Sequence, residues 1–251
     1  MNNIVSILLA AVLFNAGFSF SSDLTAKDVI ERADKLSRGE SNHSELTMKI
    51  IRPSWSRELA MKSWSKGNTY ALILITAPAR DKGTTFLKRG NEVWQWVPSI
   101  QRVIKIPPSM MNQSWMGSDF TNDDLVKEAS VVNDYTHRFL PDTASGDTSL
   151  YRIELVPKPD VPVVWDKIIE WIDKSTFIQH RGEYFDETGR MVDIMRLGNI
   201  QKMGGRNIPT HLEMIPTDKQ GQKTVLDYKS IEFNIPIQES FFSLQNMKQV
   251  R

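Results

Sequence analysis

Residues 91–126 read NEVWQWVPSIQRVIKIPPSMMNQSWMGSDFTNDDLV, and the rest of the chain is organised around them. The opening part predicts an aromatic strand over 92–97 and a shorter strand over 102–106. A turn at Pro98-Ser99 joins them, and Pro107-Pro108 ends the second strand because proline cannot donate a ladder hydrogen bond. The sequence therefore predicts a β-hairpin at this point.

The segment that follows, residues 107–120, is here called the flap. It carries too many large, adaptable apolar side chains for a solvated loop, so we expect it to pack on an apolar surface. Thr121 then predicts a helix N-cap, with Asp123 and Asp124 as carboxylates in the first turn. The hairpin is thus followed by an apolar flap and a short helix.

On both sides of this unit, apolar and polar residues alternate with the period of a strand, and glycine-containing turns such as Lys66-Gly67-Asn68 separate the alternating runs. A meander of that length must curl into a barrel or a strongly bent sheet to protect its edges. The predicted strands are 45–52, 57–65, 69–77, 84–88, 92–97, 102–106, 131–140, 149–156, 167–173, 177–185, 191–200, 210–216 and 223–233.

One helix precedes the sheet, because apolar residues recur at helical spacing over 24–37 and Gly39 follows. The strand TYALILITA at 69–77 is apolar on both faces, so we expect both faces to be covered. The simplest arrangement places one face against the interior of the barrel and the other against the helix at 24–37.

Composition excludes several classes of protein. The 251 residues carry a formal charge of +1, so the chain has no large positive net charge that would attract nucleic acid. The chain has no cysteine, which removes disulfides, thiol catalysis and thiolate metal sites. The histidines are scattered without a metal-binding spacing, and no nucleophile–base motif or phosphate loop occurs. We therefore predict no catalytic residue, no metal and no cofactor.

The N-terminus predicts export. Residues 4–14 form an apolar run of signal-peptide length, followed by small residues up to Ser22, although Met1-Asn2-Asn3 lacks the usual basic residue. An uncleaved anchor or a buried apolar strand are the alternatives. We expect a cleaved signal peptide over 1–22, a periplasmic location, and a single domain over 23–251.

Two motifs carry a family resemblance. Trp94 to Ile106 fits W-x-W-x-P-x-x-x-R-V-x-x-I, and Met116 to Leu125 reads M-G-S-D-F-T-x-x-D-L. With the signal, the helix and the unbroken meander, they resemble the LolA-like outer membrane lipoprotein-sorting family. The resemblance implies a mainly β fold, an incomplete antiparallel β-barrel with an N-terminal helix and a short lid covering an apolar cavity. It also implies that this cavity carries acyl chains of lipids or lipoproteins between envelope membranes, with an inner-membrane exporter or an outer-membrane acceptor as partner.

The residues that we expect to line or cover the acyl-chain site are Leu72, Leu74, Trp94, Trp96, Met110, Met111, Trp115, Met116 and Phe120. The lipoprotein carrier also has a lid-gating arginine at the start of its third strand, whereas Lys66 to Tyr70 contain none here. Gly117 to Phe120 are expected to form a structural turn. Two alternatives to a carrier are an envelope lipid- or stress-sensing module that acts through a protein partner, and an enzyme with a hydrophobic substrate.

Overall fold

The computed structural model describes residues 24–124, 131–141, 148–161 and 163–251. The expected signal peptide, and the expected helix beyond Asp124, therefore lie outside the described residues. All the strands belong to one antiparallel sheet, whose spatial order is β6-β5-β4-β3-β2-β1-β13-β12-β11-β10-β9-β8-β7. The strands are β1 Ser41–Arg52, β2 Trp55–Lys66, β3 Tyr70–Ala77, β4 Thr85–Arg89, β5 Glu92–Val97, β6 Arg102–Ile106, β7 Tyr135–Phe139, β8 Leu150–Pro157, β9 Lys167–Asp173, β10 Gln179–Phe185, β11 Met191–Met203, β12 Arg206–Pro216 and β13 Lys223–Phe233.

The sheet is mainly a meander, and it stays open because its edge strands β6 and β7 do not pair with each other. These two strands are consecutive in the sequence, so the chain passes from one edge to the other through the flap and the residues after it. The expected incomplete antiparallel barrel is confirmed. Its thirteen strands correspond one to one with the predicted strands, and the differences lie at strand ends.

Helix α1, Ala26–Arg38, begins with a capping box, in which Thr25 Oγ1 accepts from Asp28 N at 3.2 Å and Asp28 Oδ2 accepts from Thr25 N at 2.9 Å. It ends at Gly39. The helix packs against β7 and β12, with Val29 and Ile30 fully buried in the main core. Within the described ranges, no helix has the length and apolar character needed to cross a membrane.

The two faces of the sheet have separate apolar cores. The concave face holds the main core, which includes residues of α1 and of strands from β6 at one edge of the sheet to β7 at the other. On the convex face, Leu72 and Leu74 of β3 pack with Phe242 and Met247 of the C-terminal segment. The expectation that α1 covers this second face of β3 was therefore wrong. An apolar strand indicates that both faces are covered, but it does not say by which segment.

Candidate functional site

A cavity of about 330 Å³ lies on the concave side of the sheet. Helix α1 lies on one side of it, and Phe120, the last residue of the flap, reaches it from another. Much of its wall is flexible or branched aliphatic side chains, which suit a ligand without a fixed shape. The apolar wall consists of Ile30, Leu46, Met61, Ile73, Phe120, Ile168, Met195, Leu197, Leu212, Met214, Leu226 and Ile231.

The cavity also has a polar wall formed by β1 and β2. Asn42 is the register partner of Ser65, and Ser44 is the partner of Ser63, so the four side chains form two neighbouring polar rungs. The Ser65 Oγ atom is buried and has no hydrogen-bond partner among the described residues. On the same face of β1 and β2, the next pair is Leu46 with Met61. The site is therefore apolar towards one end and hydroxyl-rich towards the other.

Carboxyl groups occupy a third part of the wall. Glu170 of β9 is buried, and desolvation together with the nearby charge of Asp34 raises its pKa to about 8. Desolvation also raises the pKa of Asp124, against the hydrogen bonds that it accepts. Asp34 is paired with Arg38 one helical turn away at 2.9 Å. At neutral pH, Glu170 is therefore predominantly a neutral acid that can donate a proton or a hydrogen bond.

The flap is held to the sheet by a buried ion pair. Asp119 Oδ2 lies 2.9 Å from Arg52 Nη1, and the two side chains are 5% and 13% exposed. Thr224 of β13 donates its hydroxyl to the same oxygen at 2.7 Å and accepts from Asp119 N at 2.9 Å. Arg52 also donates to the Gly117 carbonyl at 3.0 Å. The expected structural turn at 117–120 is thus an anchor that joins the flap to β1 and β13.

Further contacts hold the flap and the cap residue that follows it. Arg57 donates to the Met116 carbonyl at 3.3 Å and to Asp81 at 2.7 Å. Thr121 and Asp124 form the reciprocal hydrogen bonds of a capping box, at 3.1 Å and 2.8 Å, as their spacing predicts. Asp124 also accepts from the Trp165 indole at 2.9 Å. The cap residues are therefore connected to the cavity wall.

The structure distributes the expected site residues over four places. Phe120 lines the cavity. Three other flap residues pack in or against the main core, namely Met111, Trp115 and Met116, while Met110 is 38% exposed. The remaining four lie in the convex-face core and away from the cavity: Leu72, Leu74, Trp94 and Trp96.

The placement of these four residues corrects the expectation that they line the cavity. Ala71 and Ile73 of β3 face the cavity, so the alternation of side chains turns Leu72 and Leu74 to the other side. Trp94 is the register partner of Leu87, which belongs to the same convex-face core. Their positions follow from the alternation of side chains along the strand. A strand that is apolar on both faces does not show from its sequence which face meets the cavity.

Sequence reasoning missed the polar lining residues, although a signal for them exists. Glu170 lies in phase with Ile168 and Ile172, both of which are buried, so it occupies a core-facing position of β9. Ser63 and Ser65 likewise continue the phase of the buried Met61. A polar residue in phase with buried neighbours is the pattern that marks such a site.

Two buried tryptophans near the flap provide a matched test of this packing. Trp115 is fully buried against Phe86, with ring centroids 5.0 Å apart, and its indole N–H has no acceptor in the described chain. Trp165 instead donates to Asp124. A buried donor without a partner costs about 1–3 kcal/mol. We expect Trp115→Phe to be the less destabilising of the two Trp→Phe changes, because it removes such a donor.

The measurement is urea unfolding of Trp115→Phe and Trp165→Phe, followed by circular dichroism. We expect Trp165→Phe to lower the free energy of unfolding by about 1–3 kcal/mol beyond the volume change, the range for leaving a buried acceptor without its partner. Equal losses for the two variants would contradict the difference in hydrogen bonding.

An open antiparallel barrel with a helix on its concave side, an anchored flap and a partly apolar cavity defines a fold of the LolA type. A family model with the description "Uncharacterized protein" matches residues 67–249. The chain belongs to this family, and the resemblance to LolA-like outer membrane lipoprotein-sorting proteins is confirmed. No curated protein matches the chain.

Solved structures agree with the assignment. A DUF1329 family protein from Desulfovibrio piger is 23% identical with a TM-score of 0.79, and the match covers 88% of this chain and 97% of that one. A LolA superfamily protein from Nitrosomonas europaea is 25% identical with a TM-score of 0.77, covering 88% and 98%. A domain assigned to the outer membrane lipoprotein-sorting proteins of Vibrio parahaemolyticus is 20% identical with a TM-score of 0.76, covering 89% and 98%.

Proposed function

We propose that this protein is a periplasmic carrier, without catalytic activity, that binds acyl chains of lipids or lipoproteins for transfer between envelope membranes. The observation that carries the proposal is the cavity of about 330 Å³, whose wall includes Met61, Met195 and Met214 and which the flap residue Phe120 helps to line. Burying an acyl chain gains about 0.8 kcal/mol per methylene. About ten buried methylenes would gain about 8 kcal/mol, which is comparable to the cost of association.

The comparisons and the N-terminal sequence support a carrier that works in the cell envelope. One similar structure is assigned to outer membrane lipoprotein sorting, and another to the LolA superfamily. The apolar run at 4–14 is of signal-peptide length. The proposal therefore includes a cleaved signal peptide over 1–22, a single carrier domain over 23–251, and a membrane exporter or acceptor as protein partner.

Filling the cavity tests the carrier proposal. Ser63 of β2 faces the cavity, so we expect Ser63→Trp to occupy the space of the ligand and to weaken binding of a fluorescent acyl probe at least tenfold. The measurement is probe titration of the purified protein, with native mass spectrometry of gently purified protein to detect bound lipid.

Lys62→Trp is the matched control, because Lys62 is the next residue on β2, does not line the cavity, and pairs with Glu45 at 3.5 Å. We expect it to bind the probe as the wild type does. Failure of the wild-type protein to bind any acyl probe or lipid would overturn the carrier proposal, and equal binding by both variants would place the site elsewhere.

One observation favours a second candidate, an enzyme with a hydrophobic substrate. Glu170 is a buried acid with a pKa near 8 that faces the cavity, which is a property of catalytic acids. However, no histidine or lysine occurs among the lining residues that the structure describes, so Ser63 and Ser65 lack a conventional activating base there. Turnover of an acyl ester that is lost in Glu170→Gln would support this candidate over the carrier.

A further inference from the structure

Two buried polar groups of the cavity wall have no hydrogen-bond partner within the described chain. One is Ser65 Oγ, whose residue is 7% exposed. The other is the carboxyl group of Glu170, 6% exposed, whose raised pKa reflects burial and the charge of Asp34 with no contribution from a hydrogen bond. Buried polar groups are normally hydrogen-bonded. Both groups are therefore available to the polar part of a ligand.

The ionisable groups of the described wall have an excess of acids over bases. The carboxyl side chains are Asp34, Asp123, Asp124 and Glu170, and the one strong base among them is Arg38. Arg38 lies 2.9 Å from Asp34 and is therefore already paired with a carboxylate. An ammonium ion beside these carboxyl groups favours their ionised form and is attracted to it, whereas a carboxylate or phosphate meets no cation in the described wall other than Arg38, which Asp34 already pairs.

The size of the cavity restricts the number of chains. Ligand pockets have volumes of about 300–1,000 Å³, and a cavity of about 330 Å³ lies at the lower end of that range. It matches one small amphiphile more closely than the several acyl chains of a lipoprotein. The apolar wall around Met61, Met195 and Met214 can accommodate the chain of such a molecule.

We propose that the preferred ligand of this cavity is a single-chain amphiphile with a protonated amine as its polar end, and that Glu170 binds the amine. This inference rests on the proposed function and specifies its cargo. An ammonium group supplies three donors and no acceptor, so it complements the carboxyl oxygens of the wall and the acceptor lone pairs of the Ser63 and Ser65 hydroxyls. The approach of the cation favours the carboxylate form and so lowers the pKa of Glu170 from its value near 8.

The test compares dodecylamine, 1-dodecanol and dodecanoate as competitors of a fluorescent acyl probe, at pH 7 and below the critical micelle concentration of each. For the wild-type protein we expect the Kd of dodecylamine to be at least tenfold lower than that of dodecanoate, and lower than that of 1-dodecanol. In Glu170→Gln we expect the advantage of the amine over the alcohol to fall to less than threefold.

Glu183→Gln is the control for loss of a buried glutamate. Glu183 of β10 does not line the cavity and pairs with Arg181 at 2.9 Å, so its replacement should leave the ranking of the three ligands unchanged. Thermal unfolding checks that both variants are folded. If Glu170→Gln does not fold, the order of the three Kd values in the wild-type protein still tests the preference for the amine.

The outcomes separate this inference from the carrier proposal. Equal binding of the three ligands, or tightest binding of dodecanoate, overturns the amine preference while leaving a carrier of acyl chains in place. An amine preference that persists in Glu170→Gln overturns the role of Glu170. Binding of neither the probe nor any of the three ligands by the wild-type protein overturns both proposals.

Discussion

Replacement of Asp119 by alanine is expected to lower the free energy of unfolding by about 3–5 kcal/mol, the usual loss when one partner of a buried ion pair is removed. The change leaves the Arg52 guanidinium, 13% exposed, without its carboxylate. It also removes the acceptor of the Thr224 hydroxyl. The measurement is urea unfolding monitored by circular dichroism, together with amide hydrogen exchange over the flap, which should become faster.

The control is Glu92→Ala. Glu92 pairs with Lys105, but the two side chains are 53% and 58% exposed, so the expected loss is about 0–1 kcal/mol. A double variant, Arg52→Met with Asp119→Leu, should recover much of the lost stability because no buried charge remains unpaired. Losses of equal size for Asp119→Ala and Glu92→Ala would show that the ion pair does not hold the flap.

Replacement of Phe242 by alanine is expected to cost about 3–5 kcal/mol of unfolding free energy, as for other fully buried phenylalanines. Phe242 is fully buried on the convex face. It stacks on Tyr70 with ring centroids 5.4 Å apart and meets Phe241 edge-on. Because the cavity is on the other face, the Kd for an acyl probe should stay within about twofold of the wild type in the folded variant.

Leu244→Ala controls for a change in the same segment. Leu244 is 41% exposed, and surface substitutions usually change stability by less than about 0.5 kcal/mol. Urea unfolding and probe titration at a temperature where both variants are folded give the comparison. A tenfold loss of probe affinity in folded Phe242→Ala would indicate that Leu72 and Leu74 contact the ligand after all.

The flap shows how much of the site could be predicted. Its apolar composition correctly indicated packing on an apolar surface, and Trp115 and Met111 are buried in the main core. The N-cap at Thr121 was also predicted correctly, because a cap involves residues three apart. The role of Asp119 was not evident, since its partners Arg52 and Thr224 are 67 and 105 residues away in the sequence.

The cavity wall shows the same division. Alternation within β2 and β9 marks Ser65 and Glu170 as core-facing positions, but their meeting around one cavity depends on a sheet that brings strands a hundred residues apart to opposite walls. Polar residues in phase with buried neighbours are therefore a signal for a site. The partners that make the site polar, acidic or dry come from elsewhere in the chain.

Local patterns were sufficient for the thirteen strands, helix α1 and the N-cap at Thr121, because strand alternation, turn residues and caps act between residues that are close in sequence. Three features required the folded chain: the face of β3 that meets the cavity, the C-terminal segment as the cover of its other face, and the ion pair that anchors the flap. Alternation divides the side chains of a strand between two faces but does not indicate which face is inside. The curvature of the whole sheet, and the side chains that it brings together, determine the inner face.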